Sequence, residues 1–139
     1  MANEDRILRM ADEVEIRNVI AKLAIHADDG DMEAFVSALA EDVHWENRSQ
    51  PERPPIIGRT AFINLNQQAR SARGMGAHSC HSVPTSVITV TGDTATAKSY
   101  LFFYPDARST AEPACKIYND QFVRTPGGWK LSIRYIDPI

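Results

Sequence analysis

The sequence predicts an α+β domain in which helices cover one side of an antiparallel sheet. Three observations predict it. Helical periodicity fills the first half of the chain and period-two alternation the second. Turn residues at Thr91-Gly92-Asp93-Thr94 and Thr125-Pro126-Gly127-Gly128 join the alternating segments as hairpins. The length of 139 residues suits a single domain, 1–139, that carries its own core.

The elements follow in order. Asp5 to Asp28 reads as a helix, because Ile16, Val19, Ile20, Leu23 and Ala27 form one apolar stripe. Gly30 suits its C-cap, and Asp31 suits the N-cap of a second helix whose buried side is Phe35, Val36 and Leu39. Val43 to Asn47 predicts a short strand carrying Trp45, followed by a loop to Pro55. Gly58 to Arg73 reads as a third helix with Ala61, Phe62, Leu65 and Ala69 on one side, ended by Gly74 and Gly76.

Four longer segments then alternate. Cys80 to Thr91 is a strand that Pro84 should interrupt with a bulge or leave at an edge. Ala95 to Tyr104 places Ala95, Ala97, Ser99, Leu101 and Phe103 on one face. Ala114 to Arg124 places Lys116, Tyr118, Asp120 and Phe122 together, and Trp129 to Tyr135 places Trp129, Leu131, Ile133 and Tyr135 together. Three or four antiparallel strands packed against three helices are expected.

Composition excludes several function classes. The net charge of −3, with no Lys/Arg run, lacks the electrostatic footprint of a nucleic-acid binder. No apolar run approaches the roughly 18 residues of a membrane helix, and Met1 to Met10 lacks the apolar core of a secretory signal. A cytoplasmic protein is expected. Cys80 and Cys115 belong to no C-x-x-C pair and read as two small packed residues. His78 and His81 are three apart on a strand, so they face opposite sides and cannot clasp one ion. His26 and His44 do not complete a set, and no Gly-rich phosphate loop is present, so neither metal nor cofactor is expected.

Asp28 continues the inward stripe at the end of the first helix, where the dipole disfavours an acid. A carboxylate pointed inward there requires a partner. The plainer alternative is a solvent-facing acid beside Asp29 and Asp31. His81 starts a strand that can turn it inward. It is either a proton acceptor near neutral pH or a structural histidine satisfied by backbone groups.

Three segments resemble the SnoaL-like, scytalone-dehydratase-like branch of the nuclear transport factor 2-like superfamily. They are Glu15-Ile16-Arg17 through Asp28-Asp29-Gly30-Asp31 to Phe35 and Asp42-Val43-His44-Trp45; then His81-x-x-x-Thr85-x-x-Ile88 into Gly92-Asp93-x-Ala95; then Tyr118-x-Asp120 with Gly128-Trp129-Lys130 and Arg134. The resemblance implies a cone, a curved sheet closed by helices around a central pocket. It implies that Asp28 pairs with His81 in that pocket, and that Tyr118 and Asp120 face it. Two departures stand out: Leu23 occupies the place of a Tyr, and Thr85 that of an Asn, so the usual acid of scytalone-like dehydration is missing. His26, one turn on from Leu23, is a candidate replacement.

The expected function is that of a cofactor-free lyase or isomerase of dehydratase type. His81 would take a proton, Asp28 would support the imidazolium, Tyr118 would assist the oxygen and Asp120 would orient a second polar group. Leu23, His26, Trp45, Phe62, Leu101 and Phe103 would line the pocket for a small apolar or aromatic ligand. The alternatives are a non-catalytic small-molecule binding protein and a scaffold resembling the small subunit of ring-hydroxylating dioxygenases. Tyr100, Phe102, Tyr104, Ile117 and Val123 leave a sheet face apolar enough to expect a homodimer, and the family resemblance also admits a homotrimer.

Overall fold

The computed structural model describes residues 2–65 and 78–139. Helix α1 (Asn3–Asp29) is followed by α2 (Met32–Ser37), β1 (Leu39–Asn47), β2 (Ile56–Ile57) and a helical stretch α3 over residues 59–65. Four long strands follow: β3 (Cys80–Thr91), β4 (Thr94–Tyr104), β5 (Ala114–Thr125) and β6 (Gly128–Pro138). They make one curved sheet in the order β2-β1-β6-β5-β4-β3.

α1 lies on the concave face with Ile16, Val19, Ile20 and Leu23 buried. These four meet Phe35, Leu39, Val43, Ala95, Ala97, Phe122 and Leu131 in one core. α1 ends as its glycine predicts: Gly30 has φ 83° and donates its N–H to the His26 carbonyl at 3.2 Å. The Asp31 side chain then caps α2 by accepting from the Ala34 N–H at 3.1 Å. In its N-terminal half α1 is pinned by Asp12, which accepts from Arg124 at 2.7 and 2.9 Å and from the Trp129 indole at 3.0 Å. The Arg124 hydrogen bonds hold the Asp12 carboxyl below the usual carboxylate range. That clamp fixes the axis that carries Asp28 about 24 Å further along.

Four expectations need correction. The sheet is mixed, because β1 runs parallel to β6 while every other pair is antiparallel. It has six strands, two of them supplied from the region before residue 58. Leu39 is in β1 and not in α2: the Leu131 N–H takes the Ala38 carbonyl at 2.9 Å, so pairing with β6 captures the chain before the helix can continue. The predicted third helix is helical at 59–65; Ala69, Arg73, Gly74 and Gly76 lie outside the described residues.

The fourth correction concerns β6. Gln121 pairs with Ile133 but Phe122 pairs with Leu131, so Ser132 is an extra residue, a β-bulge, whose hydroxyl donates to the Gln121 carbonyl at 3.0 Å. Trp129 and Leu131 face the core, but beyond the bulge Arg134 and Ile136 do, and Ile133 and Tyr135 face away. A second bulge lies between Ser82 and Thr85 in β3, where Pro84 predicts one. Buried Ala95, Ala97, Ser99 and Leu101 on β4, and Tyr118, Asp120 and Phe122 on β5, keep the predicted alternation.

Candidate functional site

The last turn of α1 and the first residues of β3 meet at Asp28. One carboxylate oxygen accepts from the His81 ring Nδ1 at 2.7 Å and from the Ser79 hydroxyl at 3.0 Å. The other accepts from the His81 backbone N–H at 2.8 Å. Three donors supply the partner that an inward acid at a helix C-terminus requires. Because a carboxylate only accepts, Nδ1 is the donor, and the neutral tautomer that fits this contact has its lone pair on Nε2. The Phe103 ring packs 4.7 Å from the imidazole and sets its tilt.

His81 opens onto a cavity of about 160 Å³. From α1 the described lining residues are Leu23, Ala24 and Ala27; α2 gives Phe35, β1 gives Trp45 and α3 gives Phe62. Phe35 stacks on Phe62 at 5.1 Å, and Trp45 meets Phe62 edge-on at 5.0 Å, so three aromatic rings close one wall. Tyr118 and Arg134 supply the polar wall.

Arg134 is 2% exposed and forms a bidentate pair with Asp120, with Nε and Nη2 each donating at 2.8 Å. Its guanidinium carbon lies 3.7 Å from the Tyr118 ring centroid and 5.0 Å from that of Trp45. Burial pushes the Asp120 carboxyl up, and the charge and hydrogen bonds of Arg134 oppose the shift. A guanidinium does not surrender its proton in a protein, and both Asp120 oxygens accept from it. Burial pushes the Tyr118 hydroxyl up to about 12, so near neutral pH it is a protonated donor. Neither the Tyr118 hydroxyl nor Arg134 Nη1 has a hydrogen-bond partner among the described residues.

The predicted residues therefore divide. His81, Tyr118, Leu23, Trp45 and Phe62 line the cavity, and Asp28 stands behind His81. Asp120 is one step behind it, holding Arg134. His26 instead turns its Nδ1 to Asp29 at 3.0 Å and is not among the lining residues, so it does not stand in for the missing Tyr. Leu101 and Phe103 pack in a neighbouring cluster with Tyr118 and Ile136. Arg134 enters the sequence pattern only as part of the family resemblance, and the structure adds it to the site. Strict alternation from Trp129 turns it outward, and the Ser132 bulge turns it in.

A SnoaL-like domain model matches residues 8–135. The chain belongs to the SnoaL-like domain family. Among curated proteins none matches. Solved structures share the fold across almost the whole chain. A nuclear transport factor 2-like protein with a cystatin-like fold from Novosphingobium aromaticivorans is 28% identical over 96% of this chain and 85% of its own, with a TM-score of 0.84. A candidate aromatic ring hydroxylase from the same organism is 21% identical over 94% of this chain and 90% of its own, at 0.80. A candidate dehydratase of the nuclear transport factor 2-like family from Streptomyces avermitilis is 18% identical over 94% and 98%, at 0.75. The SnoaL-like cone thus agrees with the fold expected from the sequence. Among the described residues, no helix is long and apolar enough to cross a membrane.

Proposed function

We propose that this SnoaL-like protein is a cofactor-free lyase or isomerase that moves a proton on a small cyclic substrate. The observation that carries the reading is the Asp28–His81 contact, which leaves Nε2 as a base at the cavity wall. In this mechanism Nε2 removes a proton from carbon next to a carbonyl or a leaving group. Asp28 holds the ring in one tautomer and stabilises the imidazolium as it forms. The Tyr118 hydroxyl donates to the oxygen that gains charge, with Arg134 beside it. The same His81 returns the proton elsewhere on the substrate or to the departing group.

Exchange of α-protons for deuterium in a panel of cyclic ketones, followed by proton NMR, tests the reading directly. Wild type is expected to accelerate exchange. Asp28→Asn keeps the shape of the side chain but removes its charge, and should slow exchange about 10²–10⁴-fold. No exchange by wild type on any ketone that binds would leave a binding protein as the function, a reading that the apolar wall of Phe35, Trp45 and Phe62 also supports.

The proposal includes a homodimer formed through the outer sheet face. Val87 is 68% and Tyr100 45% exposed there, and half-buried Phe102, Tyr104 and Ile117 extend the patch. Light scattering at high micromolar concentration should give twice the monomer mass. Tyr100→Lys should return it to the monomer mass, and a monomeric wild type would refute the dimer.

A further inference from the structure

We infer that Ser79 is a positioning residue of this site: its hydroxyl shares one oxygen of Asp28 with the His81 ring and limits how tightly the carboxylate grips the imidazole. The catalytic meaning of the contact rests on the proposed function, whereas the contact itself does not. Ser79 and His81 stand two apart where the chain enters β3, so both side chains turn toward the end of α1. Asp28 thus meets three donors from one short segment, of which the hydroxyl is the one whose role is unassigned.

Such a hydroxyl either holds the carboxylate in place or takes a share of its charge, and the geometry chooses between the two. The holding role is already filled. His81 alone engages both carboxylate oxygens, through its ring Nδ1 at 2.7 Å and its backbone N–H at 2.8 Å. Two bonds to two oxygens fix the rotation of the carboxylate. The Ser79 hydroxyl reaches, at 3.0 Å, the same oxygen that the ring uses. An oxygen that serves two donors offers each less charge than it would offer one, and the attraction scales with that charge. The His81 and Asp28 side chains are 24% and 19% exposed, so water screens the contact only in part. Ser79 is absent from the described lining of the cavity, so it acts through Asp28 rather than on a substrate. In the proposed cycle Nε2 takes a proton from carbon and gives it back, while the Nδ1 proton stays on the ring. A carboxylate that gripped Nδ1–H without a competitor would hold the imidazolium more firmly and slow the return of the proton. Ser79 keeps that grip loose enough for the proton to leave.

The low-field proton NMR resonance of His81 Nδ1–H reads the grip without any substrate, because a stronger bond to a carboxylate moves it to lower field. The resonance is assigned by its loss in His81→Ala. Ser79→Thr keeps a hydroxyl, and Ser79→Val puts a methyl in its place that also keeps water out. At about pH 8, where a free imidazole is neutral, wild type and Ser79→Thr are expected to coincide and Ser79→Val to lie at lower field. Ser79→Ala should move in the same sense, and it decides by the same criterion if Ser79→Val does not fold. In the deuterium-exchange assay Ser79→Val should slow turnover about 3- to 10-fold, the worth of one hydrogen bond, at unchanged KM. A resonance unmoved in Ser79→Val overturns the inference, and so does one moved to higher field, which would make the hydroxyl the holder of the carboxylate. A wild-type spectrum without the resonance overturns it as well, since a 2.7 Å contact to a carboxylate protects the proton. A shifted resonance with unchanged turnover overturns the catalytic meaning of Ser79. No exchange by wild type overturns the proposed function and leaves the sharing of Asp28 standing.

Discussion

His81→Ala is expected to lower turnover about 10²–10⁴-fold, which is about 3–5 kcal/mol in the barrier, while leaving the protein folded. The two effects separate because of how Asp28 is held. Its second oxygen takes the backbone N–H of residue 81, which alanine retains, and Ser79 continues to donate to the first. Loss of the ring therefore removes one of three donors and opens a small space beside Phe103. That should cost about 1–2 kcal/mol of stability. The comparison is the deuterium-exchange rate and the thermal midpoint of wild type and His81→Ala on the same ketone. A well-folded variant with unchanged exchange would end the assignment of His81 as the base. A variant that unfolds near room temperature would make the histidine structural instead.

The largest expected stability effect belongs to Arg134→Met. The pair with Asp120 is buried on both sides, at 2% and 3% exposure. Removing the cation leaves a carboxylate with no compensation, at a cost of about 3–5 kcal/mol, or roughly 10–20 °C in the melting midpoint for a chain of this size. The pH dependence has a definite sign. Burial already pushes the Asp120 carboxyl up, and without Arg134 nothing opposes the shift. A carboxyl whose folded pKa exceeds its unfolded value supports folding at low pH and loses that support as pH rises through the folded pKa. The deficit of Arg134→Met relative to wild type should therefore be larger at about pH 8 than at about pH 5. Asp120→Leu combined with Arg134→Met should recover much of the loss, since a matched apolar pair leaves no buried charge. Calorimetry of Arg134→Met, Asp120→Leu and the double variant at both pH values checks this. Additive losses in the double variant would refute the coupling.

The sequence carried the site unevenly, and the reasons are local. Asp28 was legible because helix period and the helix dipole both bear on it: an acid on an inward stripe at the wrong end implies a partner. His81 was legible because it opens a strand whose later alternation is clean. The β3 bulge was announced by Pro84, which cannot donate to a ladder. The β6 bulge had no such marker. Ser132 is neither Gly nor Pro, and the run Trp129, Leu131, Ile133, Tyr135 fits strict alternation well. Without that signal, strict alternation alone turns Arg134 away from the core. The parallel pairing of β1 with β6 was equally invisible, since it joins segments about ninety residues apart whose only shared property is apolar pattern. His26 fails as a pocket residue for a short-range reason: Asp29, one turn on, competes for it at the helix end.

The bulge at Ser132 has a geometric corollary. Deleting that residue would restore an unbroken ladder in which Leu131 and Arg134 become second neighbours along the strand and still point the same way. Every inward side chain would keep its identity and its cross-strand partner. What would change is bend and coil, because a bulge sharpens the local twist of the strand that carries it. Length at this one position therefore tunes how tightly the cone is rolled, and with it the bore of the chamber, independently of the chemistry on its walls. Homologues of different β6 length could share the same reactive groups and differ chiefly in the girth of what they admit.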